Sequence, residues 1–258
     1  MSAGGPGRRV ADMDPARRAL LDTGAAEAAT LTECLAVDFA ALMRAALPDI
    51  GEDALAAMQQ AAGAGISRRM ALAAQLIHQR FGRDIVDALG KHRSDTLRGW
   101  ACFVIGLGTD RALSDRLAAI RPYADDHHFG VREWAWMALR PHIAADPDAA
   151  ITLLAAWTAD PSERLRRFAS EATRPRGVWC AHLRVLRAQP ERALPILEPL
   201  RADTSRYVQD SVGNWLNDAS KDQPDWVRGL CARWASESAT PETERICKRA
   251  LRTVTRKD

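Results

Sequence analysis

The chain has no apolar run of 18 residues and no secretory hydrophobic segment, so neither a membrane span nor export is supported and a cytoplasmic protein is expected. Strand-like alternation of apolar and polar residues is missing, which leaves an all-α chain. No long polar or low-complexity stretch divides it, so residues 10–258 read as one continuous helical domain. Ahead of that domain, Met1 to Arg9 holds three glycines and a proline and reads as a disordered tail.

Familiar catalytic signatures are equally scarce. Gly106-Leu107-Gly108 lacks the preceding strand and the third glycine of a phosphate-binding turn, and no G-x-S-x-G occurs. Ser170 has no evident base, and no cysteine and histidine fall at a nucleophile spacing. His127-His128 adjoins Asp125-Asp126, but sequence neighbours on a loop do not converge as metal ligands usually must, so the group reads as a solvated loop and no metal is expected. The five cysteines, Cys34, Cys102, Cys180, Cys231 and Cys247, are odd in number and sit in apolar helix patterns, as reduced core thiols do. Whatever chemistry the chain performs must therefore rest on carboxylates.

Repeats are what the chain has in abundance. Ala124-Asp125, Ala159-Asp160 and Ala202-Asp203 each precede by six or seven residues an apolar residue that opens a helix, Val131, Leu165 and Val208; Thr240-Pro241 before Ile246 is a looser fourth copy. The helix starts are 34, 43 and 38 residues apart, the spacing of two-helix repeats. Asp146-Pro147-Asp148, Gln189-Pro190-Glu191 and Gln223-Pro224-Asp225 start the second helices, with proline near the first position and an acid where the helix dipole favours it. One such pair cannot bury its own apolar face, so the pairs are expected to stack into a curved solenoid. In the N-terminal half, Thr30 or Thr32 is expected to cap a helix through Met43, Asp53 one through Ala62, Ser67 one through Phe81 and Asp95 one through Gly106.

The formal charge of +3 is modest, and its placement matters more than its size. Seven arginines lie between Arg164 and Arg187 against one acidic residue, Glu171, which reads as an electropositive field suited to a nucleic-acid backbone. Arg167 and Glu171 are four apart on one helical face, and Trp179 follows the break at Pro175 and Gly177. From Tyr207, Y-V-Q-D-S-V-G-N-W-L-N-D places Ser211, Asn214, Trp215 and Asp218 on one face, polar where a plain helix would repeat leucine. From Val131, V-R-E-W-A-W sets Glu133 between Arg132 and Trp134.

These segments, above all R-F-A-S-E-A-T-R-P-R-G-V-W from Arg167, resemble the DNA alkylation repair glycosylase family of HEAT-like repeats, in its AlkC branch. A-T-L-T-E-C-L-A-V-D-F-A-A-L-M from Ala29 and I-S-R-R-M-A-L-A-A-Q-L-I from Ile66 extend the likeness over nearly the whole chain. The resemblance implies a right-handed solenoid of HEAT-like pairs and a monofunctional, monomeric glycosylase that removes 3-methyladenine or 3-methylcytosine from double-stranded DNA bound in a basic concave groove. It implies no lysine Schiff base and no cofactor. Some relatives append an immunoglobulin-like domain, and this chain, which ends at Asp258, reads as a short form. By motif match, Glu171 and Asp218 are the leading catalytic carboxylates, Glu133 lies near the lesion, and Trp179 is the aromatic contact. Arg167, Arg174, Arg176, Arg132 and Lys221 are expected on DNA. Trp134 and Trp215 are further candidates for lesion contact, with core packing as the competing reading.

Carboxylates suit that reaction. A cationic N-alkylated base is already a good leaving group; what its hydrolysis needs is stabilisation of an oxocarbenium-like sugar and a positioned water, both of which an ionised Asp or Glu offers. A HEAT-like array also serves as a non-catalytic DNA-binding or protein-interaction scaffold, since fold alone establishes no activity. A purely phosphate-binding surface, however, would gain nothing from Glu171 and Asp218, which repel DNA.

Overall fold

The computed structural model describes residues 13–177 and 179–254. The tail read at residues 1–9 lies outside the described residues. Among those described, regular structure is helical throughout, and no helix is long and apolar enough to cross a membrane. Where the sequence reads as one continuous domain, the packing divides it into two compact units, the first formed by the chain up to Asp110 with Asp126–Ala138, the second by Arg111–Asp125 with the chain from Leu139 onward.

The first unit holds α1 (Pro15–Asp22), α2 (Leu31–Ala36), α3 (Phe39–Ala46), α4 (Glu52–Gln60), α5 (Ile66–Phe81), α6 (Ile85–Gly90) and α7 (Asp95–Ile105). The single helix expected through Met43 is two, because Asp38 accepts hydrogen bonds from the Ala40 and Ala41 amides and so starts a new helix; Thr30 caps the first as expected. Gly51, at φ 97°, precedes α4, and Asp53 lies inside its first turn. Ser94 stands at the N-cap of α7, while the Asp95 carboxylate, 1% exposed, accepts from the Ala28 amide. At Gly99 an added Cβ would lie 2.6 Å from the Trp134 ring and 2.8 Å from Met70, so glycine is what lets these elements approach.

The second unit contains α8 (Leu113–Ala124), the later part of α9 (Phe129–Ala145), α10 (Pro147–Ala155), α11 (Glu163–Ala172), α12 (Arg184–Ala188), α13 (Leu194–Leu197), α14 (Arg206–Ala219), α15 (Pro224–Glu237) and α16 (Pro241–Leu251). Val131, Leu165, Val208 and Ile246 are buried in α9, α11, α14 and α16, where the repeat spacing put them. The helix expected after Gln189 is a 3-10 turn at Pro190–Ala193 followed by the one-turn α13, since Pro195 and Pro199 remove backbone donors a longer helix requires. Helix α14 packs against both α11 and α16.

The repeat signal has a physical basis. Asp126, Asp160 and Asp203 each fold back to accept the amide two residues on, from His128, Ser162 and Ser205, closing the turn before a helix. The first copy is thus one residue later than Asp125. In each following helix a long side chain reaches back to the carbonyls of that turn: Arg132 to Asp126 and His127, Arg166 to Asp160 and Pro161, and Gln209 to Asp203. In α7, Arg98 does the same to the carbonyls of His92 and Arg93, where His92 Nδ1 accepts the Ser94 amide. Two of these arginines also pair forward with the turn aspartate of the next repeat, Arg98 with Asp126 at 2.9 Å and Arg166 with Asp203 at 2.6 Å. Within each unit this makes a ladder in which one side chain caps its own turn and holds the next.

His128 departs from the solvated reading. It is buried, with Nε2 2.6 Å from the Ala28 carbonyl and Nδ1 accepting from the Gly130 amide. No group able to hold a metal occurs among the described residues. The five cysteines are free thiols, four of them buried.

Asp203→Ala removes one rung and strands Arg166, so urea unfolding should show a loss of roughly 3–5 kcal/mol, as for one partner of a buried pair. Asp125→Ala, whose contact with Arg164 is more exposed, should cost under about 1 kcal/mol. Equal losses would mean that the ladder has no special weight.

Candidate functional site

Helices α11 and α14 set the site. Ser162 caps α11 by accepting the Arg164 amide, and Ser205 does the same for Tyr207 at the start of α14. Helix α11 stops at Ala172, three residues short of Pro175, and the Thr173 hydroxyl donates to the Ala169 and Ser170 carbonyls at its end. The seam between the two helices is polar where most of the core is apolar: Ser170, Glu171, Thr173, Ser211 and Asp218 are all buried.

Glu171 and Asp218, read from separate motifs, come together here through Arg174. Its Nη1 donates to Glu171 Oε1 at 2.7 Å, while Nη2 and Nε donate to Asp218 Oδ2 at 2.7 and 2.9 Å. Glu171 Oε2 accepts from the Ser211 hydroxyl at 2.7 Å and faces Arg167 at 3.6 Å; Ser211 in turn lies 2.8 Å from Ser170. Asp218 Oδ1 accepts from Lys221 at 3.1 Å. Burial alone would raise the Glu171 carboxyl, but Arg167 and Arg174, with the hydrogen bonds from Arg174 and Ser211, outweigh it and hold the group below its ordinary value. Burial likewise works against the Arg174 charge, and the two carboxylates overcome it. The result is a buried pair of carboxylates sharing one arginine, with the charged form of Glu171 favoured.

The arginine-rich stretch is not the open field its sequence suggests. Arg164 faces Asp125, Arg166 pairs with Asp203, Arg167 with Glu171, Arg174 with Glu171 and Asp218, and Arg176 and Arg187 both grip Asp222. Arg184 is exposed. Apart from Glu171, the acids come from turns and a helix elsewhere in the chain, so a count along the stretch cannot see them. Hydrogen bonds from Arg187 and Arg176 outweigh burial and lower the Asp222 carboxyl to about 2. Arg167 also stacks on the Tyr207 ring, 4.5 Å from its centroid.

The tryptophans separate. Trp179 is 43% exposed and has φ 61°, a left-handed backbone that a bulky residue adopts only under constraint. Trp215 is fully buried and donates its indole N–H to the Thr173 carbonyl, and Trp134 is 3% exposed. Both rings are packed as core, the competing reading for each. Glu133 lies in the first unit and accepts from Trp136 Nε1 at 2.8 Å, and Arg132 is committed to the carbonyls of its own turn.

One residue escaped the sequence reading. Arg140, 2% exposed, donates from Nη1 to the Ala172 carbonyl at 2.7 Å, from Nη2 to that of Arg174, and from Nε to that of Ala181 at 3.3 Å. Its only trace in the sequence is an arginine inside the apolar run M-A-L-R-P-H-I.

The pair's charge state predicts a pH signature. A depressed carboxyl contributes stability above its unfolded pKa of about 4.3 and loses it as pH falls toward the folded value. Glu171→Gln should therefore be less stable than wild type by roughly 3–5 kcal/mol at pH 7, because Arg174 and Arg167 lose a buried counterion. The gap should narrow below about pH 4.3, where protonation removes the same charge from the wild type. Urea unfolding at pH 7 and pH 3.5 measures both; a gap constant with pH refutes the assignment.

Several known proteins are similar to parts of this chain. The family described as DNA alkylation repair enzymes matches residues 113–253. The uncharacterized protein YhaZ of Bacillus subtilis (strain 168) is 41% identical over 120 residues, 46% of this chain and 33% of YhaZ. Among solved structures, the Pseudomonas fluorescens alkylpurine DNA glycosylase AlkC bound to DNA containing an abasic site analog has a TM-score of 0.66 at 26% identity, covering 84% of this chain and 61% of that one. The chain therefore spans about a third of YhaZ and about three fifths of AlkC. The family match takes in α11, α14 and the acid pair between them, and more than half of all residues: the chain belongs to the DNA alkylation repair enzyme family.

Proposed function

We propose that the protein is a monofunctional DNA glycosylase that hydrolyses the N-glycosidic bond of cationic N3-alkylated bases, 3-methyladenine first among them, in double-stranded DNA. The observation that carries this reading is the buried, anionic Glu171–Arg174–Asp218 cluster between α11 and α14. Two carboxylates fixed in a dry seam are poor partners for DNA phosphates and good ones for a cation. In this reaction the cation is the sugar: as the charged base departs with the bonding electrons it becomes neutral, and positive charge develops at C1′ and the ring oxygen. Asp218 and Glu171 stabilise that charge, and one of them orients the water whose oxygen bonds to C1′ and whose proton is then lost.

Trp179 offers an exposed aromatic face, which attracts a charged base more than a neutral one. Arg174 and Arg167 are engaged with the acids, so DNA phosphates fall to the more exposed cations, Lys221, Arg176 and Arg184. AlkC, an alkylpurine DNA glycosylase whose structure holds DNA, supports the same substrate class for this chain.

Release of 3-methyladenine from methylated duplex DNA tests the proposal, and its absence under single-turnover conditions overturns it. Asp218→Asn should keep the fold and DNA binding while slowing release by about 10²-fold or more, the loss typical of removing one electrostatic stabiliser. Because Glu171 is held below its ordinary value and Asp218 is paired with Arg174 and Lys221, neither is placed to protonate a leaving group. Duplexes carrying neutral uracil or hypoxanthine should therefore yield little or no product; rates equal to those for the charged base would give these carboxylates a different role.

A further inference from the structure

The segment from Thr173 to Leu183 leaves α11, carries Trp179 and returns to α12, and its neck is closed from inside by one buried cation. Arg140 places a donor on each side of Trp179: Nη1 and Nη2 on the Ala172 and Arg174 carbonyls before it, and Nε on the Ala181 carbonyl after it. The Leu183 amide adds a bond across the same neck, to the Pro175 carbonyl at 3.0 Å. Gly177 packs so tightly that an added Cβ would stand 2.2 Å from Cys180 Sγ and 3.4 Å from Arg140 Nη2. Burying a guanidinium is costly, and burial pulls the Arg140 charge toward neutrality. A methionine would fill the same space without that cost, so the arginine has a task that packing does not explain.

The carbonyls name the task. By holding the Arg174 backbone, Arg140 fixes the residue whose guanidinium joins Glu171 to Asp218; by holding Ala181 and Ala172, it fixes the loop that keeps Trp179 exposed in a left-handed conformation. We infer that Arg140 is a positioning residue that sets the acid pair and the Trp179 loop in one geometry, so that the aromatic contact to the base and the charge at the sugar act together. It acts through backbone alone. Only a planar fork can span three carbonyls, and lysine, a point charge, cannot. The catalytic half of this inference rests on the glycosylase reading; the structural half does not.

Arg140→Lys and Gly177→Ala test it, the second displacing the loop, chiefly through the clash with Cys180 Sγ, while leaving the guanidinium in the protein. In limited proteolysis the Arg176–Gly177 bond should resist trypsin in the wild type and become cleavable in both variants. A loop as resistant as wild type in both overturns the inference, whatever the enzyme does to DNA. In single-turnover release of 3-methyladenine, Arg140→Lys should slow the reaction by roughly 10- to 100-fold, the scale set by a misplacement of about 1 Å. Affinity for undamaged duplex should stay within about twofold, and the combined defect of Arg140→Lys with Trp179→Ala should fall short of the product of the two single defects, because part of the loss in Arg140→Lys runs through Trp179. An arginine that merely stabilises the fold would lower the melting temperature and multiply the Trp179→Ala defect, which overturns the positioning role. If the wild type releases no base while the loop still opens in the variants, the glycosylase reading fails and the loop assignment stands.

Discussion

A carboxylate taken out of water keeps its charge only beside a cation, and the second unit is organised around that requirement. Glu171 and Asp218 are nearly inaccessible to solvent, and Arg174 satisfies both with three of its donors. Removing any one of the three would leave a buried charge with too few partners, a heavier penalty than the intact cluster's net contribution to stability. Other features serve this balance: the serine hydroxyls beside Glu171, the indole N–H of Trp215 on the end of α11, and the Arg140 fork on the Arg174 carbonyl. The seam is polar because the acids are there, and it is tightly bonded because unpaired polar groups in such a place are expensive.

The same balance bears on chemistry. A general acid needs a carboxyl that holds its proton near neutral pH, and the environment of Glu171 pushes the other way. In the proposed reaction the two carboxylates would supply negative charge, fixed in place during folding, where positive charge develops on the sugar. This separates hydrolysis of an already cationic nucleotide from excision of neutral bases, which requires that a proton be delivered.

Much of this was legible in the sequence, for local reasons. Turn-closing aspartates and helix-starting prolines act within a few residues, so they left a period that located α9, α10, α11, α14, α15 and α16. Glu171 stood out as the one acid among seven arginines, and Asp218 because its helical face is polar where apolar residues would be usual. The misreadings share one cause, tertiary partners. Asp38 restarts a helix that periodicity alone continues, and the register of the first repeat is set at Asp126, where a backbone amide is bound, and not at Asp125. The arginines of the 164–187 stretch looked opposed by Glu171 alone because Asp125, Asp203, Asp218 and Asp222 arrive from turns and a helix outside it. Trp215 was left between lesion contact and core because Ser211 and Asp218 on its helical face are polar, and that polarity is internal. Arg140 was invisible, since nothing in a linear pattern marks a side chain whose partners are all backbone carbonyls.

The ladder and the acid pair are built between neighbouring repeats, and this shapes how the molecule comes into being. Arg166 and Asp203 are 37 residues apart, Arg174 and Asp218 44, and Trp215 and its Thr173 acceptor 42. Each contact closes a loop of one repeat length, so the entropic cost is nearly the same at every step and none requires distant ends of the chain to meet. The acid pair can therefore form as soon as α14 docks on α11, before the chain beyond Asp218 has been synthesised in full. Folding of this unit can advance repeat by repeat in the order of synthesis, and its chemical centre belongs to a junction between adjacent repeats and to no single one of them.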